Sequence, residues 1–72
     1  MDNPKKQQMK GNWKQFKGRL QELWGELTDD ELDTYRGRRE QLEGYLVEKT
    51  GKSRERIREQ IDRVAKELEY SI

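Results

Sequence analysis

The chain has 72 residues, of which 43% are charged and 29% hydrophobic, and its formal net charge at pH 7 is +1. A chain of this length forms one domain at most and buries only a small core. It contains no cysteine and no histidine, which excludes disulfide bonds, thiolate zinc sites and acid–base catalysis by histidine. We therefore expect a protein that is not an enzyme and that needs no cofactor and no metal.

The beginning of the chain is polar and contains the only proline. Residues 1–8 are therefore predicted to form a flexible tail, followed by a single helical domain over residues 9–72. The tail lacks the apolar stretch of a signal peptide, and no transmembrane segment is predicted anywhere in the chain. The expected location is the cytoplasm of a bacterium, and the expected state is a monomer.

A repeat organises the sequence. The six glycines form two sets, each with spacings of seven residues: Gly11, Gly18 and Gly25, then Gly37, Gly44 and Gly51. Aligning the two sets superimposes residues 11–25 on residues 37–51, with six identical positions out of fifteen. This pattern predicts an internal duplication, with units over about residues 11–36 and 37–70 that bury their apolar faces against each other.

The first helix is predicted over about residues 12–24. Its apolar stripe follows spacings of four and three residues and consists of Met9, Trp13, Phe16, Leu20, Leu23 and Leu27. Asn12 is the predicted N-cap, and Gln15 is placed to complete a capping box. Gly25 is expected to take the left-handed conformation that ends a helix.

The second helix is predicted to begin after Thr28, which forms a capping box with Glu31. Asp29 and Asp30 then lie in the first turn, where the helix dipole favours negative charge. This helix is expected to end or bend near Gly37. The chain therefore has four helices, or three if the second and third are continuous.

The third helix is predicted over about residues 37–50, with Gly51 as its end, and the fourth begins after the N-cap Ser53. The predicted core of the domain consists of the apolar residues on the inner faces of all four helices. They are Trp13, Phe16, Leu20, Leu23, Trp24, Leu27, Leu32, Leu42, Leu46, Ile57, Ile61, Val64 and Leu68.

The first repeat unit is richer in apolar residues than the second. Trp13, Leu23 and Trp24 align with Arg39, Lys49 and Thr50, so the first helix is expected to be the centre of the core. Both units keep a glycine inside a helix, at positions 18 and 44, where it costs about 1 kcal/mol relative to alanine. Close approach of another helix or a tryptophan ring is the favoured reason, over an unconstrained surface position.

Residues 11–32, GNWKQFKGRLQELWGELTDDEL, and the glycine-spaced block that follows them resemble the CsbD-like family of small bacterial stress-response proteins. The resemblance covers about residues 11–51. It implies an all-α fold, a small bundle arranged as two helical hairpins packed crosswise. It also implies a cytoplasmic protein linked to the general stress response, and it implies no reaction.

Two motifs that suggest ligand chemistry fail on inspection. Gly51, Lys52 and Ser53 match the end of a phosphate-binding P-loop, but Leu46 stands where the first glycine of that motif is required. The acidic residues 29–33 lack the spacing and the glycine of a calcium-binding loop, and acids at a helix start explain them better.

Three functions from different classes remain open. The first is a hydrophilic stress protein that acts through contacts with an unknown protein partner or through protective contacts. The second is a weak nucleic-acid or anion-binding module at the start of the fourth helix, with Lys52, Ser53, Arg54 and Arg56 as the binding residues. A capped helix with solvated basic side chains is the favoured alternative there. Nucleic acid is not a favoured partner, because basic and acidic residues are interspersed along the chain.

The third function is association with a membrane surface through the first helix. Its aromatic residues Trp13, Phe16 and Trp24 lie among four basic residues, Lys10, Lys14, Lys17 and Arg19. The competing interpretation, that these aromatic residues form the core of a small domain, is favoured because the chain has no other core.

Overall fold

The structure, a computed structural model, describes residues 12–71, and its elements in this range are all helices. They are α1 (Trp13–Leu23), α2 (Asp29–Thr34), α3 (Arg39–Thr50) and α4 (Arg54–Leu68). The all-α prediction is confirmed, and the second and third helices are separate. The predicted tail over residues 1–8 and the apolar position Met9 lie outside the described residues.

The longest helix, α4, lies at the centre of the bundle. It packs against α1 on one side and against α3 on the other. Its inner face carries Ile57, Ile61 and Val64, all of which are buried. The expectation that α1 forms the centre of the core is therefore wrong, because the helix that contacts both of the other long helices is α4.

The core contains side chains from all four helices and from the connection after α1. Its buried apolar members are Trp13, Phe16, Leu20, Trp24, Leu27, Leu32, Leu42, Tyr45, Leu46, Ile57, Ile61 and Val64. Leu68 and Tyr70 are partly buried and pack against this cluster. Tyr45 and Tyr70 were not among the predicted core residues.

The prediction for Leu23 is wrong, since 45% of this residue is exposed. The reason lies at the end of α1. Leu23 is its last residue, and the next residue, Trp24, adopts an extended backbone with φ −133° and ψ 99°. This change of direction carries Trp24 into the core in place of Leu23.

The aromatic residues of α1 and of its C-cap, Trp24, also face inward. Trp13 and Trp24 are 5% and 6% exposed, and Phe16 is fully buried. A membrane-surface role for this helix requires those rings on the outside. The membrane-surface interpretation is therefore not supported, and the stripe forms part of the core.

Most helix ends follow the local sequence. The capping box at Asn12 is confirmed: its Oδ1 accepts from the Gln15 N–H at 3.0 Å, and Gln15 Oε1 accepts from the Asn12 N–H at 3.2 Å. The end predicted at Gly51 is confirmed as well, with φ +74°. The prediction for Gly25 is wrong. The glycines with positive φ among residues 12–71 are Gly37 and Gly51, and Gly25 is not one of them.

The start of α2 is confirmed at Thr28, whose Oγ1 accepts from the Glu31 N–H at 3.4 Å. The predicted capping box is not formed there, since the Glu31 carboxylate accepts from the Thr28 hydroxyl at 3.1 Å instead of from the backbone. Ser53 caps α4 as expected, with its Oγ accepting from the Arg56 N–H at 3.2 Å.

The two glycines inside helices are not sites of close packing. A Cβ atom at Gly18 would meet nothing within 4 Å. One at Gly44 would meet the Arg54 Nη2 atom at 3.4 Å, an ordinary van der Waals distance from a flexible side chain. The close-approach interpretation is therefore wrong for both positions.

Candidate anion site at the α3–α4 turn and the Glu43 cluster

The turn between α3 and α4 holds the four residues predicted to bind anions. Gly51 reverses the chain, and the Lys52 N–H donates to Thr50 Oγ1 at 3.2 Å. Ser53 then starts α4, so that Lys52, Ser53, Arg54 and Arg56 lie within one short stretch of exposed chain. The turn is open to solvent on its outer side.

Two of these four residues already have partners. The Ser53 oxygen accepts from the backbone of α4, and the Arg54 Nη1 atom donates to Glu43 Oε1 at 2.8 Å. The side chains of Lys52 and Arg56 have no polar partner within residues 12–71. Anion binding at this turn stays a prediction, and it would depend mainly on Lys52 and Arg56.

Arg54 belongs to a group of ion-paired side chains that the sequence did not predict. We call this group the Glu43 cluster, and its members are Glu43, Arg39, Arg54, Arg58 and Asp62. Glu43 Oε1 accepts from Arg54 and from Arg58 Nε at 3.1 Å, and its Oε2 accepts from Arg39 Nε at 2.9 Å. Arg39 also reaches Asp62 on α4, at 2.7 Å. The cluster therefore connects α3 to α4 by ion pairs.

Glu43 is the one charged residue in the described part of the chain that is buried, with 4% of its surface exposed. Burial alone would raise the pKa of this carboxyl, but the hydrogen bonds from Arg39, Arg58 and Arg54 outweigh it and hold the pKa below its ordinary value. A carboxylate kept ionised in this way is a poor general base near neutral pH. The arrangement suits a structural link between two helices.

Little in the sequence indicates this link. Arg39 and Glu43 form an i, i+4 pair, and Arg54 and Arg58 are one turn apart. Both patterns are typical of a solvated helix face. Aligning the two glycine-spaced segments places Glu43 on Lys17, but only the structure shows that Lys17 also lies against a neighbouring helix.

Polar contacts also hold α2 to its neighbours. Towards α1, Asp33 Oδ1 accepts from Trp13 Nε1 and from Lys17 Nζ, both at 2.8 Å. Towards α3, Glu31 Oε1 accepts from the Tyr45 hydroxyl at 2.8 Å and lies 3.4 Å from Lys49 Nζ. Burial, together with the Glu31 carboxylate, raises the pKa of Tyr45 to about 12.

The described residues contain no group of three or more acidic side chains that could hold a metal ion. No helix in residues 12–71 has the length and apolar character needed to cross a membrane. Two clefts of this part of the surface are lined by charged and polar side chains such as Arg38, Glu40 and Glu59 and open to solvent.

Comparisons with known proteins identify relatives over most of the chain. Residues 7–59 match the profile of a family described as CsbD-like. The chain is 42% identical over 60 residues to the UPF0337 protein YjbJ of Escherichia coli O6:H1, covering 83% of this chain and 87% of that protein. It is 53% identical over 54 residues to a UPF0337 protein of Rhodopseudomonas palustris, covering 75% of this chain and 82% of that protein.

A third relative, a UPF0337 protein of Pectobacterium atrosepticum, is 46% identical over 56 residues, covering 78% of this chain and 81% of that protein. No solved structure matches the chain significantly. The profile matches well over half of the chain, and each of these relatives is at least 42% identical to it, so the chain belongs to the CsbD-like family.

Proposed function

We propose that this protein is a small, non-catalytic stress-response protein of the bacterial cytoplasm that acts through protective contacts with other proteins. One observation carries the proposal: the surface of residues 12–71 is dense in charge, and its one exposed large hydrophobic side chain is Leu23. Such a surface stays hydrated and disfavours association through apolar patches.

The charges on this surface are nearly balanced, and about half of the charged side chains lie in ion pairs. Arg19 reaches Glu67 at 2.6 Å, and Lys17 lies between Asp29 and Asp33. A nearly neutral surface of exposed charges makes weak and reversible contacts with many partners, because each exposed ion pair contributes little free energy. This property suits a protein that separates other proteins without binding any of them tightly.

The proposal is tested by the heat-induced aggregation of a labile enzyme such as citrate synthase, followed by light scattering. The protein is expected to lower the scattering in proportion to its concentration, and added salt should weaken the effect. Ubiquitin at equal mass concentration is the control, since it is a folded protein of similar size. Equal scattering with either protein would contradict the proposal, as would unchanged survival of a deletion strain under salt, heat and acid stress.

A second candidate function is anion binding at the α3–α4 turn. The observation in its favour is that Lys52 and Arg56 have no polar partner among the described residues, beside the N-terminus of α4. A titration with inorganic phosphate, followed by amide chemical shifts, separates the two candidates. Shifts confined to residues 51–56 that weaken with salt and disappear in Arg56→Gln support binding. Absence of such shifts contradicts it.

A further inference from the structure

The short helix α2 is held differently from the other three. The helix pairs that pack closely are α1 with α4 and α3 with α4. In α2, six residues long, the one buried side chain is Leu32. The connections on either side add two apolar contacts: Leu27 is buried, and the Tyr35 ring stacks on Tyr45 with 5.0 Å between centroids. The attachment of α2 itself thus depends on one leucine and on polar side chains.

Those polar side chains are carboxylates, one on each flank. Asp33 binds Trp13 and Lys17 of α1, and Glu31 binds Tyr45 and Lys49 of α3. Asp29 Oδ1 also accepts from Gln21 Nε2 of α1 at 2.9 Å and lies 3.7 Å from Lys17 Nζ. Hydrogen bonds and ion pairs to an ionised carboxylate are stronger than those to a neutral carboxyl. The packing of α2 against α1 and α3 therefore depends on these charges.

We propose that α2 is an acid-released strap, which leaves α1 and α3 when Asp33 and Glu31 are protonated, while α1, α3 and α4 stay folded. Protonation removes the ion pairs with Lys17 and Lys49 and leaves Trp13 and Tyr45 with neutral acceptors. Release uncovers the apolar surface beneath Leu32. This inference does not depend on the proposed protective role.

The charged groups around both carboxylates favour their ionised form. Lys17 faces Asp33 from α1, with Arg36 nearby, while Lys49 and the Tyr45 hydroxyl face Glu31 from α3. The hydrogen bond from Lys17 lowers the pKa of Asp33 from its ordinary 3.8, and that from Tyr45 lowers the pKa of Glu31 from 4.5. The contacts are therefore complete above about pH 4.5 and are lost as the pH falls through the lowered values.

The remaining helices keep their contacts in acid because they are held by apolar side chains. The fully buried residues outside α2 include Phe16, Leu20, Leu42, Leu46, Ile57 and Ile61. Glu43 also titrates in acid, but it lies beside these buried side chains of α3 and α4 and is not their sole connection. The strap is expected to open first, since local opening begins where few apolar contacts hold an element.

The first test is an acid titration of the full chain, followed by backbone amide spectra and hydrogen exchange. Helical carbon shifts of residues 29–34 and the Trp13 indole signal are expected to change at a higher pH than the shifts of α3 and α4. A single transition in which all four helices are lost together would overturn the proposal. Retention of α2 in acid while α3 and α4 unfold would overturn it too.

The second test uses variants at neutral pH. Asp33→Asn and Glu31→Gln keep the shape of the side chain and remove its charge, so each should speed exchange of the amides of α2 several-fold and leave those of α3 and α4 unchanged. Asp30→Asn is the matched control, because this carboxylate lies on the same helix without a polar side-chain partner among residues 12–71. Equal exchange in all three variants would overturn the proposal.

Discussion

Lys17 and Glu43 align when the two glycine-spaced segments are superimposed, 26 residues apart, and each links its helix to the next one in the chain. Lys17 pairs with Asp29 and Asp33, and Glu43 pairs with Arg54 and Arg58. Both side chains are largely shielded from solvent, at 14% and 5% exposure. The two aligned positions therefore both carry a link to the next helix, with the signs of the charges inverted.

Leu20→Ala and Leu23→Ala form a matched pair that tests the observed end of α1. Leu20 is fully buried, so its truncation should cost about 2–5 kcal/mol of unfolding free energy. Leu23 is largely exposed, so its truncation should cost less than about 1 kcal/mol. Urea unfolding followed by circular dichroism measures both. Similar losses in the two variants would show that Leu23 belongs to the core after all.

Glu43→Gln should destabilise the domain on the order of 2 kcal/mol, because an amide cannot satisfy three arginines that converge on one buried carboxylate. Glu40→Gln on the exposed side of α3 is the control and should change the free energy of unfolding by less than about 0.5 kcal/mol. Chemical denaturation at neutral pH compares the two. If both variants match the unaltered protein, the cluster does not stabilise the fold.

The same variant should change how stability depends on pH. Although burial opposes it, the arginines hold the pKa of Glu43 below its ordinary 4.5 in the folded protein. Its contribution is therefore present above about pH 4.5 and is lost as the pH falls through the lowered pKa. Glu43→Gln should show a shallower loss of stability in acid. An unchanged slope would mean that other carboxylates account for the acid sensitivity.

Thr28→Ala should cost about 1 kcal/mol, since it removes the oxygen that caps α2. Thr34→Ala is the control within the same helix: its hydroxyl donates only to the Asp30 carbonyl, so its loss should have almost no effect. Thermal unfolding of both variants measures the difference. A larger effect at Thr34 would argue against the observed start of α2.

Glu69→Gly should be more stable than Glu69→Ala by about 1 kcal/mol, because both variants remove the side chain and only glycine relieves the backbone strain of φ +54° at the end of α4. The left-handed turn at Glu69 allows two contacts of Tyr70. Its N–H donates to the Ala65 carbonyl at 2.9 Å, and its ring packs against Phe16. Glu59→Gly inside α4 is the opposite control and should cost about 1 kcal/mol. Equal stability of Glu69→Gly and Glu69→Ala would contradict this account.

Three helix starts and one helix end were predictable from the sequence alone. The starts of α1, α2 and α4 follow from Asn12, Thr28 and Ser53, and the end of α3 follows from Gly51. Each of these features depends on residues within about one helical turn, where a side chain meets the backbone of its own segment. The repeat and the family resemblance could likewise be recognised without coordinates.

Only the tertiary structure decided which residues are buried at the margins of the core. Trp24 replaces Leu23 in the core because the chain changes direction after α1, and Glu43 is inside because α4 brings Arg54 and Arg58 over it. The register between helices that are far apart in sequence sets both outcomes. A helical pattern reports which side chains share a face, whereas the packing of α4 between α1 and α3 determines which face is covered.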